Sequence, residues 1–418
     1  MNALLTTCLP KSREGNETES ASSGSSSADP KVVMWLCSLW VITRVFGVLA
    51  LHGFPPYEHA FPSDGDVSLY WQWAEHIWHG MIPYRDFQVV YPPGAFAALA
   101  LSPHSLALYR IEFLVLALGV DACVTTLLIR TGRPTGVVLW IVAAPLLGPI
   151  FWSRLDILLA GLLIGAVVAF DRKRYGWAGT FIAFAAALKI WPIILLPLVL
   201  PSVPEGRRQK LVLTTAAVAA VCFGPLIVLG GWSGIWNVFH FQSGRGVEFE
   251  SIFAMPLYAI GAAGHPAHLG VGGALQFSGP ANDVLSAVSL AALVVAVTLC
   301  CGLAFARRRQ PVPLATWLLL VVAVLAITEK VLSAQYGVWI ALASALFVDQ
   351  ARDRRRLFLI TCILVFTTQV QFPLEYYQLR FGTKIAFPVS LTHAVVVVTF
   401  SFIAIAEVMA SFRRDEVA

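Results

Sequence analysis

Two carboxylates, Asp64 and Asp66, open a polar and aromatic stretch, DGDVSLYWQWAEHIWHGMIPYRDFQVVYPP, running from Asp64 to Pro93. A carboxylate beside an attacking hydroxyl can take up its proton, which is worth typically ~10² to 10⁴ in rate. The same side chains also stand where a helix would begin, and an Asp there can simply accept backbone N–H groups as an N-cap. From the residues alone both roles stay open, and one Asp can fill each. Asp86, within PYRDF, reads as a turn residue or a partner of Arg85.

The second set of chemically capable residues is basic: Arg44, Arg154, Lys189, Arg245, Lys330, Arg380 and Lys384. Arginine makes bidentate contacts with phosphate and lysine acts as a point charge, so several converging cations suit an anionic head group or a departing phosphate. The competing reading pairs them with Asp156, Glu248, Glu250, Glu329 and Glu375, with Arg154–Asp156 and Glu329–Lys330 the obvious neighbours. Arg44 and Lys189 are each flanked by apolar sequence, where a lone charge is costly, and this favours a functional role for them. His240, in NVFHFQSGRGVEFES, is either a second acid/base or substrate contact, or an interfacial histidine with a satisfied hydrogen bond. His265 and His268 stand at i, i+3 without the third ligand that a metal site would need. The seven cysteines lie in the N-terminal tail or in apolar runs, in no Cys-x-x-Cys or Cys/His spacing, so neither disulfides nor a zinc site is expected.

What must position these residues is a membrane. Of 418 residues, 58% are hydrophobic and 13% charged, with mean hydropathy +0.74, which excludes an ordinary soluble enzyme. The formal charge of +5 comes from arginines in short loops, the pattern of membrane topology and not of nucleic-acid binding. Those loops, at residues 130–133, 171–174, 205–210, 307–309, 352–356 and 413–414, are expected on the cytoplasmic side. Between them the apolar runs predict an all-α polytopic bundle of about 11–13 membrane segments. The expected spans include 107–129, 137–152, 155–170, 211–230, 284–305, 314–328, 331–348, 357–372 and 385–411. The run 175–201 has basic loops on both sides and must return, most simply as two short helices meeting near Lys189-Ile190-Trp191-Pro192. Residues 1–30, rich in Ser, Gly, Asn and Glu, read as a disordered cytoplasmic tail, and 31–418 as one membrane domain. Its first outer loop covers about 53–105 and a second large outer loop about 232–282. In the first, Tyr70, Trp73, Ile77 and Trp78 fall near one apolar face of a surface helix whose other side carries Gln72, Glu75 and His79. With that topology the acids and bases named above gather at the outer face, as one polar site assembled from several loops would require.

Taken together, DVSLYWQWAEHIWHGMIPYRDFQVVYPP, SRLDILLAGLLIGAVVAF, AGTFIAFAAALKIWPIILLPLVL, SGRGVEFES and EKVLSAQYGVWI resemble the successive signatures of glycosyltransferase family 87. These are actinobacterial polyprenol-phosphate-mannose-dependent alpha-mannosyltransferases with the GT-C fold. The resemblance covers most of residues 44–341. It implies a multi-pass plasma-membrane enzyme whose active site faces away from the cytoplasm and whose catalytic Asp lies in the first outer loop. The family spacing of Asp and Tyr four residues later matches Asp66 and Tyr70, giving the base to Asp66 and leaving Asp64 second; ALKIWP matches its Lys-x-x-Pro element at Lys189 and Pro192. Where relatives show Pro-Gln-Tyr this chain has Ala334-Gln335-Tyr336.

The expectation is therefore transfer of mannose, with inversion, from a polyprenyl phosphate to a hydroxyl of a lipid-linked or cell-envelope glycan. Arg44, Arg154, Lys189, Arg245 and Lys330 would bind the donor phosphate; Tyr70, Glu75, Tyr91, His240, Glu250, Gln335 and Tyr336 would touch substrate. No metal or other cofactor is expected; the partners are the lipid donor, the glycan acceptor and membrane lipids, with no nucleic acid. The alternatives are a transporter or flippase of a lipid-linked sugar, and the same fold acting on another sugar such as arabinofuranose.

Overall fold

The computed structural model describes residues 30–60, 62, 65–96, 101, 104–261, 268–269, 275–380 and 384–417. Asp64, His265 and the expected tail through residue 29 lie outside the described residues. The chain is a polytopic all-α membrane protein, and among the described residues seven helices are long and apolar enough to cross a bilayer. They are carried by α1 (Pro30–Leu51), α3 (Leu106–Arg130), α4 (Pro134–Leu147), α8 (Glu205–Ser243), α10 (Pro280–Ala306), α13 (Arg354–Gln369) and α15 (Ala386–Val417). Between them come the surface helix α2 (Gly65–Trp78) and the shorter α5 (Asp156–Asp171), α6 (Tyr175–Leu188), α7 (Leu195–Val199) and α9 (Ala254–Gly261). The others are α11 (Leu314–Thr328), α12 (Tyr336–Phe347) and α14 (Tyr376–Arg380). One two-residue antiparallel ribbon, β1 (His268–Leu269) with β2 (Leu275–Gln276), occurs among the described residues.

Burial sorts these helices. Nearly every residue of α11 and α12 is buried, as expected of segments apolar on all sides at the centre of a bundle. By contrast α1, α8 and α10 expose Trp35, Ile42, Val221, Val228, Val295 and Leu299, an outward apolar surface that suits lipid. The return predicted at 175–201 is present: α6 ends at Leu188, Lys189 is extended (φ −145°, ψ 130°), and Trp191–Ile194 forms a 3-10 turn leading into α7. Pro192 explains the break, because it lacks an N–H and its ring excludes the carbonyl four residues earlier.

One expectation is corrected. The span drawn over 331–348 starts later, at Tyr336, because the backbone leaves α11 in extended form at Glu329 (φ −81°, ψ 131°) and 331–335 remain outside a helix. The surface helix buries Val67, Tyr70, Trp73 and Ala74, whereas Trp78 is 64% exposed. Tyr70 packs against Phe113 of α3, ring centroids 5.7 Å apart, while the exposed Trp78 leaves the outer edge of the apolar side uncovered.

Candidate active site

Where helices stop, their ends meet. The start of α2, the Tyr91–Pro92 loop, the turn before α5, the break after α6 and residues 245–250, 329–336 and 372–376 together line a cavity of about 370 Å³. These are the segments that the charge pattern puts on a single side of the membrane. Close approach makes the junction possible: a Cβ on Gly94 would lie 2.6 Å from the Ala187 carbonyl carbon, so only glycine lets the Tyr91 loop press on the end of α6.

Asp66, in the first turn of α2, lines the cavity with its side chain 34% exposed, and its Oδ2 lies 3.0 Å from Nε of the buried Arg154. The competing reading, which pairs Arg154 with Asp156, does not hold. Arg154 lies in the turn before α5 and Asp156 is the first residue of that helix. Asp156 instead points to Lys189, whose Nζ is 2.8 Å away, and this carboxylate is fully buried. Three rings surround the same ammonium, Trp339 at 4.8 Å, Tyr336 at 5.4 Å and Tyr91 at 5.7 Å, so the lysine is held by charge and by aromatic faces at once.

The far wall is a strap and a loop tied together. Arg245 pairs with Glu248, which also accepts from Ser333 Oγ at 2.9 Å. Lys330 Nζ donates to the carbonyls of Ser243 and Arg245, and the Glu248 N–H donates to Lys330 O at 2.9 Å. Half-buried between them, Glu329 has its carboxyl pushed up to about 7, mainly by desolvation; Lys330 and Arg245 pull it down and Glu248 pushes it further up. Burial, reinforced by Glu248, also holds the Glu250 carboxyl well above its ordinary range. Burial draws Lys330 down, against the pull of Glu329. Around neutral pH Glu329 is thus only partly ionised. Arg154 pairs with Asp66, Lys189 with Asp156 and Arg245 with Glu248.

Of the residues singled out from sequence, Asp66, Tyr91, Arg154, Lys189, Arg245, Glu250, Lys330, Gln335 and Tyr336 come together on this cavity. Tyr70 stands behind it, fully buried, its hydroxyl 3.4 Å from that of Tyr91. Glu75 is not on the wall and His240 is exposed on α8 beyond the Gly231 kink. Arg44 is likewise absent. Its guanidinium forms a bidentate pair with Asp121 (2.7 and 2.8 Å) and donates to Ile141 O, while Trp140 Nε1 donates to the same carboxylate at 2.8 Å. Its charge is neutralised inside the bundle, away from the cavity. Sequence reasoning passed over Trp339, Ser333, Phe372 and Tyr376, all on the wall. A signal for Trp339 existed, since it follows Tyr336 by three positions and so shares its helix face.

This geometry presents a half-exposed carboxylate across from basic groups, inside a chamber large enough for a sugar. Residues 89–240 match glycosyltransferase family 87. The match indicates a membrane glycosyltransferase. It takes in Tyr91, Arg154, Asp156 and Lys189, while Asp66 and the 245–336 wall lie outside it. No curated protein matches the chain.

Proposed function

We propose that this glycosyltransferase moves mannose from a polyprenyl phosphate to a hydroxyl of a lipid-linked or cell-envelope glycan, with inversion, at the extracytoplasmic face of the plasma membrane. The observation that carries the reading is the single cavity in which Asp66 faces Lys189, Arg245 and Lys330. In this mechanism the acceptor oxygen attacks the anomeric carbon as its proton passes to Asp66. The bond from that carbon to the phosphate oxygen breaks, and its electron pair leaves with the lipid phosphate. Arg154, 3.0 Å from Asp66, orients the base and does not compete for the proton, because a guanidinium keeps its own. Lys189, Arg245 and Lys330 stabilise the charge that grows on the leaving phosphate. Lys330 spends two of its three N–H groups on carbonyls, which aims the ammonium. These cations do the work that a metal would otherwise do, so no metal is required.

The site lies outside on the argument from basic loops, and donors made as lipid phosphates are available there. The test is purified enzyme offered radiolabelled polyprenyl-phosphate mannose, polyprenyl-phosphate arabinofuranose and nucleotide-linked mannose, with and without excess chelator. Product from the first donor alone, unchanged by chelation, is expected. Asp66→Asn should lower turnover at least ~10²-fold without unfolding the protein, since an amide keeps the shape but accepts no proton. Full activity in that variant removes Asp66 as the base, and transfer from the nucleotide sugar removes the lipid-phosphate donor.

A further inference from the structure

A second cavity, of about 490 Å³, lies at the opposite end of α6 from Lys189, where the first turns of α6 and α8 come together. The 14 residues of α6 separate the two cavities by ~20 Å at 1.5 Å per residue. Lys173, Arg174, Arg207 and Lys210 line it together with Tyr175 and Trp177, and no acidic residue does. Among the described residues these four cations enter no ion pair. Neighbouring arginines behave differently. Arg133 is paired with Asp171, and Arg208 donates to the carbonyls of Val203 and Pro201 and faces Glu205. Charges that served only to fix topology would have no reason to divide in this way, with one set neutralised and the other gathered around an opening.

The pocket also adjoins lipid-facing surface. Trp177 is 60% exposed, Phe184 lies two turns further along the same face of α6, and Leu213 on α8 is 58% exposed. Tryptophan at the mouth of a basic pocket between two membrane helices fits the boundary between head groups and acyl chains. The α6 N-terminus adds to the field: Arg174, at the N-cap, makes no side-chain capping bond, so the first-turn N–H groups are not spent on it. We propose that this pocket holds the phosphate head group of an anionic phospholipid, with its acyl chains lying along Trp177, Phe184 and Leu213. A free anion would use the cations and leave the apolar rim without a purpose. The site is separate from the catalytic cavity and shares no residue with it.

The test is native mass spectrometry of the full chain in detergent, titrated with phosphatidylglycerol or phosphatidylcholine. One phosphatidylglycerol should be retained in preference to phosphatidylcholine. Arg207→Gln with Lys210→Gln should weaken that retention about 10- to 30-fold at low salt, at roughly three- to fivefold per cation lost. The same charge loss at Arg354→Gln with Arg355→Gln should leave it unchanged. Lys173→Gln with Arg174→Gln gives a second reading if the first pair of substitutions lowers the melting temperature. Equal retention of the two lipids, or unaltered retention in both pocket variants, overturns the proposal. So does displacement of the lipid by excess inorganic phosphate, which would make this a site for free anions.

Discussion

Replacing Lys189 tests architecture and chemistry together, and the two effects can be pulled apart. Lys189→Ala removes the only ion-pair partner that the described residues give to Asp156, a carboxylate with no exposure. Breaking a buried pair from one side costs about 3–5 kcal/mol. The orphaned acid can escape by taking up a proton. For a carboxyl of ordinary acidity, about 3 units below neutral, that costs about 4 kcal/mol at pH 7 and about 1.5 kcal/mol at pH 5. The variant should therefore be destabilised by about 4 kcal/mol at pH 7, with more than half of the deficit recovered at pH 5. Lys189→Met combined with Asp156→Leu leaves no charge behind and should restore most of the stability. It should not restore turnover, if the ammonium held among Trp339, Tyr336 and Tyr91 stabilises the leaving phosphate. Thermal melts of the detergent-solubilised variants at the two pH values, with transfer rates measured below each melting temperature, read the two effects separately. A double variant that regains activity along with stability would refute the catalytic role. A single variant as stable as the parent at pH 7 would refute the energetic argument.

Arg44→Met should destabilise the protein by about 3–5 kcal/mol by orphaning Asp121, yet leave KM for the donor unchanged in whatever remains folded; a raised KM would return Arg44 to the phosphate site. Because the Glu329 carboxyl is pushed up to about 7, it is neutral below that pH and adds a negative charge to the cavity above it. Donor affinity should fall as pH rises through about 7, and Glu329→Gln should flatten that part of the KM profile. The accompanying stability contribution has the same sign: it is fully present below the ordinary carboxyl value near 4.5 and is lost as pH rises through about 7, so Glu329→Gln should melt with less pH dependence across that window. Cysteine placed at Gly244 should react with an impermeant thiol reagent from outside and cysteine at Gly206 or Arg355 should not; reversed labelling would move the catalytic cavity to the cytoplasmic side.

Lone charges in apolar sequence were the most legible part of the site, and they also show where legibility ends. Lys189 and Arg44 give the same signal, an expensive cation among hydrophobic neighbours, yet one lines the cavity and the other is locked to Asp121. The partner that decides the matter is 77 positions away, and no local pattern reports it. Asp121 itself lies inside an expected span, where an acid needs a counter-charge, so the two could have been matched by asking which buried acid lacked one. The break at Lys189 was readable because Pro192 forces it; the late start of α12 was not, since 331–335 are apolar enough to pass for helix and only their place on the cavity wall shows otherwise. Glu248 was visible merely as a possible salt-bridge partner. Its role in fastening Arg245 and Ser333 into one wall depends on strap and loop meeting across more than 80 residues.

The Arg44–Asp121 pair carries a consequence for how the protein enters its membrane. When α1 emerges during synthesis it carries an arginine near its C-terminal third, at a cost of up to about 2.5–3.5 kcal/mol for a helix inserted alone. Nothing can relieve that cost until α3 arrives with Asp121, and the cage is complete only when α4 brings Trp140 and the Ile141 carbonyl. The first helix is therefore unable to settle by itself, and its commitment to the bilayer is deferred until two later segments have been made. Biogenesis of this enzyme begins as a three-helix event.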